Sequence, residues 1–246
     1  QNFSKAFDVK FQDVDNTEKY VYATSWGVST RLIGALIMAH GDDKGLRIPP
    51  DIAPIQVVII PIYKTNEDYN SIKEYINPLI DDMQHNNVSY YFDNRNAVSP
   101  GFKFNEWEMK GVPLRIEVGM RDVGNKKIVM VRRDNAEKIT CDYQKASSKI
   151  TESLKSIQDN LYKQALDFRE ANTYNVSNYN EFQNIILKKG GFIRCGWDGS
   201  SETESLIKQD TGATIRCIIK KLDKTNIKCI YTQSLAKFEV IFSKAY

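Results

Sequence analysis

The chain has 246 residues, too many for one ordinary domain and enough for two compact ones plus a remnant. At 41% hydrophobic and 26% charged its composition is globular, and no apolar run approaches the length of a membrane span. A net charge of +3, from 34 basic and 31 acidic residues, excludes a surface basic throughout and leaves a local basic face or an ordinary mixed surface.

The chain opens on Gln1-Asn2-Phe3 with neither a starting Met nor a signal peptide, and the expectation is a piece cut from a larger protein. Two extended stretches, 6–12 and 20–24, predict an antiparallel hairpin. Leu32 to Ala39 is apolar on nearly every face, so a buried helix is expected there. Pro49-Pro50 marks a first domain boundary. From 51 to 143 strand and helix patterns alternate. Gln56 to Tyr63 is apolar on both faces, as in a fully buried strand. Ile72, Tyr75, Ile76, Leu79, Ile80 and Met83 recur at three- and four-residue steps and predict a helix over about 67–84. Strands follow at 88–92, 114–118 and 128–132, with a short helix at 104–109, so the segment predicts an α/β layer sandwich. A long amphipathic helix is expected over 149–170, with Leu154, Ile157, Leu161, Ala165 and Phe168 on one stripe. A further helix over 178–188 stops at Gly190-Gly191. The last fifty residues then give a small α+β unit: strands at 192–197, 213–219, 228–231 and 237–242, and a helix at 202–209.

Cys141, Cys195, Cys217 and Cys229 form no C-x-x-C pair, and His40 and His85 are the only imidazoles. Four zinc ligands at set spacings are not offered, so reduced, mostly buried thiols of a cytoplasmic protein are expected. Arg31 sits at the start of the apolar helix, where the dipole is positive and a cation is unfavourable unless an anion shares the site. With the hydroxyls of Ser29 and Thr30 the position suits a phosphate; an Arg paired to a core carboxylate fits equally well. Residues 102–117 mix aromatics with Lys103, Lys110, Arg115, Glu106 and Glu108. Such groups can read and stack on splayed bases, and Lys126, Lys127, Arg132, Arg133 and Lys138 nearby can hold a phosphate backbone. By composition alone, a solvated charged face with Trp107 in the core is favoured. No nucleophile motif, glycine-rich phosphate loop or metal-binding helix is present.

Thr24-Ser-Trp-Gly-Val-Ser-Thr-Arg-Leu-Ile-Gly-Ala-Leu-Ile-Met-Ala-His-Gly-Asp-Asp-Lys-Gly45, with Pro49-Pro50 and Ala53-Pro-Ile-Gln-Val-Val-Ile-Ile-Pro-Ile62 after it, is similar to motif 3 of the class II prolyl-tRNA synthetases and the start of their anticodon domain. Ser99 to Gly119 resembles the family's anticodon-reading region, and Lys244-Ala245-Tyr246 resembles the ending of its archaeal/eukaryotic-type subgroup. The resemblance implies the end of an antiparallel catalytic domain at 1–50, an α/β anticodon-binding domain with a mixed sheet flanked by helices at 51–148, and a linker helix with a small α+β C-terminal domain at 149–246. It implies ATP-dependent activation of proline, with Mg2+, and transfer to tRNA(Pro) by a cytoplasmic homodimer without membrane attachment. Arg31 matches the arginine on the ATP phosphates; Ser29, Thr30 and Tyr246 match positions of the prolyl-adenylate pocket. Glu108, Arg115 and Lys138 match positions that read the anticodon guanines. Motifs 1 and 2 are absent, so the piece alone is expected to be inactive. The positions of the relatives' four zinc cysteines fall at Asp198, Thr203, Cys229 and Thr232, so no zinc is expected. The alternative is a non-catalytic, synthetase-like module that binds tRNA or a protein.

Overall fold

The computed structural model describes residues 1–223 and 225–245. A short helix α1 (Asn2–Ala6) leads into strands β1 (Lys10–Gln12) and β2 (Glu18–Tyr20), which pair antiparallel from Lys10↔Tyr20 to Gln12↔Glu18. The expected hairpin is therefore present but shorter than the extended stretches suggest. Helix α2 (Arg31–His40) follows, and here the expectation fails: none of its residues is buried, and Leu32, Ile33, Ile37 and Met38 are exposed. A helix apolar all round needs cover on every side, and among the described elements it meets chiefly the long helix over Ala146–Ala171.

That layer is built from β3 (Val57–Ile62), α3 (Asn66–His85), β4 (Tyr90–Phe92), α4 (Pro100–Met109), β5 (Leu114–Gly119), α5 (Met120–Asn125), β6 (Lys127–Arg132), β7 (Lys138–Asp142) and α6 (Ala146–Ala171). The sheet order is β4-β3-β5-β6-β7, parallel across β4, β3 and β5 and antiparallel from β5 to β7. β3 is apolar on both faces because both are covered. Val57 and Ile59 join α3 and α6 in the main core, while Val58 and Ile60 pack on Trp107 of α4. Thr65 and Asp68 close a reciprocal capping box that starts α3. The buried residues of α6 all lie between Ala146 and Leu161. Phe168, expected on the apolar stripe, is 72% exposed and lies beyond Leu161, the last buried residue of the helix. β7 and α5 carry too few periodic residues to be anticipated.

The remaining chain forms β8 (Thr173–Asn175), α7 (Tyr179–Lys188), β9 (Phe192–Trp197), α8 (Ser201–Thr211), β10 (Ala213–Lys221) and β11 (Phe238–Lys244). Its sheet runs β10-β11-β9-β8, with only β8 and β9 parallel. Its core is separate, centred on Phe182 and Phe242, whose rings meet edge-to-face at 5.4 Å. The strand expected at 228–231 is replaced by two single bridges, Gly196↔Cys229 and Lys228↔Leu235. The chain turns at once, with the Cys229 amide donating to the Ser234 carbonyl at 2.8 Å, so no ladder can extend. Of the four free cysteines only Cys195 and Cys229 are buried; Cys217 is exposed and Cys141 half-buried, which corrects the expectation of mostly buried thiols.

The first layer is fastened to the second by backbone approach. Leu46 donates to Met109 and Ile48 to Gly111, both at 3.0 Å. Gly45 and Gly111 have φ of +129° and +76°, and a Cβ on either would lie 2.5–2.6 Å from the opposing backbone. The Arg133 guanidinium then grips Asp42 with two bonds of 2.8 and 2.6 Å. Arg47 donates to the His40 carbonyl at 2.6 Å and to Gln164 of α6 at 3.0 Å.

Candidate nucleic-acid interface

Alternation along β5 sends Leu114, Ile116 and Val118 into the main core and Arg115 and Glu117 to the opposite face. The pairing register sets Arg115 beside Val58 and Val131, and Val131 beside Lys138, so these four form one row across the sheet. α4 covers the β3 end of that row and leaves the β7 end open. Between them is a cleft of about 230 Å³ whose lining includes Lys44, Trp107, Glu108, Arg115 and Val131. Two predicted site residues, Glu108 and Arg115, thus line the same cleft, although they come from a helix and a strand.

The Arg115 guanidinium lies 4.5 Å above the Phe104 ring. Its Nε donates to Glu117 Oε1 at 3.1 Å, and Nη2 lies 3.0 Å from the same oxygen. Lys138 Nζ donates to Glu117 Oε2 at 3.0 Å. Glu117, which the sequence did not single out, is buried and joins the two cations. The signal was available: residues two apart on a strand share a face. Glu108 pairs with Lys44 at 3.1 Å, bringing a second unanticipated residue to the rim.

Arg132 and Arg133, considered for a phosphate backbone, are not available for one. Both are buried. Arg132 forks onto Asp134 at 3.0 and 2.7 Å and Arg133 onto Asp42. The Arg133 pair holds the Asp42 carboxyl well below the usual carboxylate range. Trp107 is in the core, its indole donating to Asp93 at 2.8 Å; Arg95 and the buried Lys103 surround the same carboxylate.

Arg31 begins α2 and is exposed, and it takes part in no ion pair among the described residues. Ser29 and Thr30 precede it, both exposed, and Ser29 Oγ accepts from the Arg31 amide at 3.4 Å. Tyr246 lies outside the described residues.

Asp198, Thr203, Cys229 and Thr232 do converge. Asp198 Oδ2 accepts from Thr203 at 2.9 Å and Thr232 at 3.1 Å, and Oδ1 from the Ser200 amide at 3.0 Å. Burial pushes this carboxyl up, but the Ser200 amide, the two hydroxyls and the Cys229 thiol outweigh it and hold its pKa below the ordinary value. Among the described residues no three of His, Cys, Asp and Glu come together as a metal would need.

These elements make a mixed α/β layer with a charged cleft on one sheet face. Residues 56–153 match the family model "Anticodon binding domain", and residues 179–246 match "Prolyl-tRNA synthetase, C-terminal". The chain is 46% identical over 246 residues to the proline–tRNA ligases of Flavobacterium psychrophilum and Cytophaga hutchinsonii, and 48% over 248 residues to that of Parabacteroides distasonis. In each case the whole chain aligns with 50% of the relative, so the chain spans about half the length of the curated relatives it matches. One model covers the segment with the charged cleft and the other the C-terminal segment, and the chain is similar over its whole length to proline–tRNA ligases.

Proposed function

We propose that the chain is the tRNA-reading portion of a proline–tRNA ligase, which activates proline with ATP and transfers it to tRNA(Pro). The observation that carries this reading is the cleft lined by Glu108 and Arg115, with Lys138 tied to Arg115 through Glu117, inside the segment that matches the anticodon binding domain. A carboxylate accepts from base amino groups, an arginine bridges the guanine O6/N7 edge and a lysine adds a further donor. Glu108, Arg115 and Lys138 are proposed to read the anticodon guanines. Arg115→Ala is expected to weaken tRNA(Pro) binding by about 1–3 kcal/mol and to relax discrimination against a changed anticodon. Equal weakening toward every tRNA would assign Arg115 to the backbone and refute base reading.

In the same proposal residues 1–50 are the end of the class II catalytic domain, 51–148 the anticodon-binding domain, and 149–246 the linker helix and C-terminal domain. Arg31 is the ATP-phosphate contact; Ser29, Thr30 and Tyr246 belong to the prolyl-adenylate pocket. An exposed guanidinium at a helix start beside two hydroxyls is chemistry that fits a triphosphate, and ATP arrives there with Mg2+. The C-terminal domain carries no zinc, its Asp198 cluster taking the metal's place. The Lys244-Ala245-Tyr246 ending supports the archaeal/eukaryotic-type subgroup. The parent is proposed to be a cytoplasmic homodimer; among the described residues no helix is long and apolar enough to cross a membrane. The 246-residue chain alone is proposed to be inactive, and proline-dependent ATP–pyrophosphate exchange by it would refute that.

A further inference from the structure

We infer that Glu117 is the positioning residue of the anticodon site, the one buried carboxylate that fixes both reading cations at a set spacing. The inference rests on the anticodon reading of the cleft given above. Glu117 is 8% exposed, and a carboxylate this buried is costly unless each oxygen is engaged. Here the oxygens are divided: Oε1 takes Arg115 and Oε2 takes Lys138.

The division determines what each cation has left to offer. A guanidinium has a side edge, Nε with Nη2, and an end edge, Nη1 with Nη2. Glu117 occupies the side edge, and the Phe104 ring supports one face. The end edge keeps only a 3.5 Å contact from Nη1 to the Phe104 carbonyl. That end edge is the one shaped for the paired acceptors O6 and N7 of a guanine. Lys138, with a side chain 61% exposed, is held by one ammonium hydrogen bond and retains two donors toward solvent. Without Glu117 the two cations would repel across the pleat, and the arginine would lose the contact that selects its end edge. The loss would fall on discrimination between bases more than on attraction to phosphate.

The test compares the whole protein with its Arg115→Ala, Lys138→Met and Glu117→Gln variants and the Arg115→Ala/Glu117→Gln double variant. Each is measured for binding to a tRNA(Pro) transcript and to one with an anticodon guanine changed, alongside its melting temperature. Gln preserves size and one acceptor but presents an amide to Lys138. Glu117→Gln is expected to lower the discrimination ratio about tenfold, and the double variant no further than the worse single one. Were Arg115→Ala to leave the ratio intact, the anticodon reading itself would fail. Were Arg115→Ala to lower it while Glu117→Gln did not, only the positioning role would fall. A Glu117→Gln effect equal on both transcripts, or confined to melting temperature, would also overturn it. Should Glu117→Gln not fold, Arg115→Ala, Lys138→Met and the double variant that combines them supply the answer. Their effects on the ratio should be non-additive, since only the carboxylate links the two side chains; strict additivity would refute the coupling.

Discussion

Two aspartates show how single carboxylates hold this molecule. Asp42 is the partner of a buried guanidinium, so Asp42→Asn leaves Arg133 short of its counter-charge. We expect a loss of about 1–3 kcal/mol in chemical denaturation and exposure of the 45–48 backbone to exchange. Asp198 accepts from Ser200, Thr203 and Thr232, and Asp198→Ala removes all three bonds at once. It is expected to cost about 2–3 kcal/mol in the C-terminal unit, with no response to added zinc. Recovery of stability by zinc would contradict the metal-free account. Both carboxyls are depressed in the fold. Their contribution is therefore complete above the ordinary Asp value of about 3.9 and is lost as pH falls through their lower folded values. Acid titration followed by tryptophan fluorescence should show wild-type stability falling below about pH 4, and a shallower fall in each variant.

At the scale of elements, α2 and α6 contrast. α2 has ten residues, no side-chain cap and no buried residue, and isolated helices below about 12–15 residues are marginal in water. Amides of 31–40 in this chain should exchange orders of magnitude faster than those of α3; equal protection would mean that α2 is stabilised by contacts not described. α6 carries Ile150 and Ile157, both wholly buried on the five-stranded sheet. Ile150→Ala should cost about 2–5 kcal/mol, whereas Phe168→Ala, at an exposed position, should stay within about 0.5 kcal/mol.

At the scale of the molecule there are separate cores, one around β3 and α6 and one around Phe182 and Phe242, with no buried residue in common. Phe182→Ala, at about 3–5 kcal/mol, should melt the C-terminal unit while leaving the five-stranded sheet folded. Two calorimetric transitions, of which only one moves, are the expected result; a single shifted transition would show that the units unfold together.

Periodicity and the fully apolar β3 made the central elements legible, because their burial pattern is a local property of spacing. Motif-length strings in 24–62 and 99–119 carried the family resemblance, and with it Glu108, Arg115 and Lys138 as candidates. What sequence spacing could not supply was which charges meet. Arg132 and Lys138 are equally basic as letters, yet one is buried on Asp134 and the other stands exposed, paired with Glu117. Sheet register decided this: it set Arg115 in line with Val131 and Lys138, so that Glu117, two residues along β5 from Arg115, also meets Lys138 of β7. The exposure of α2 was likewise a tertiary outcome, since an apolar run records the need for cover and not whether cover is at hand.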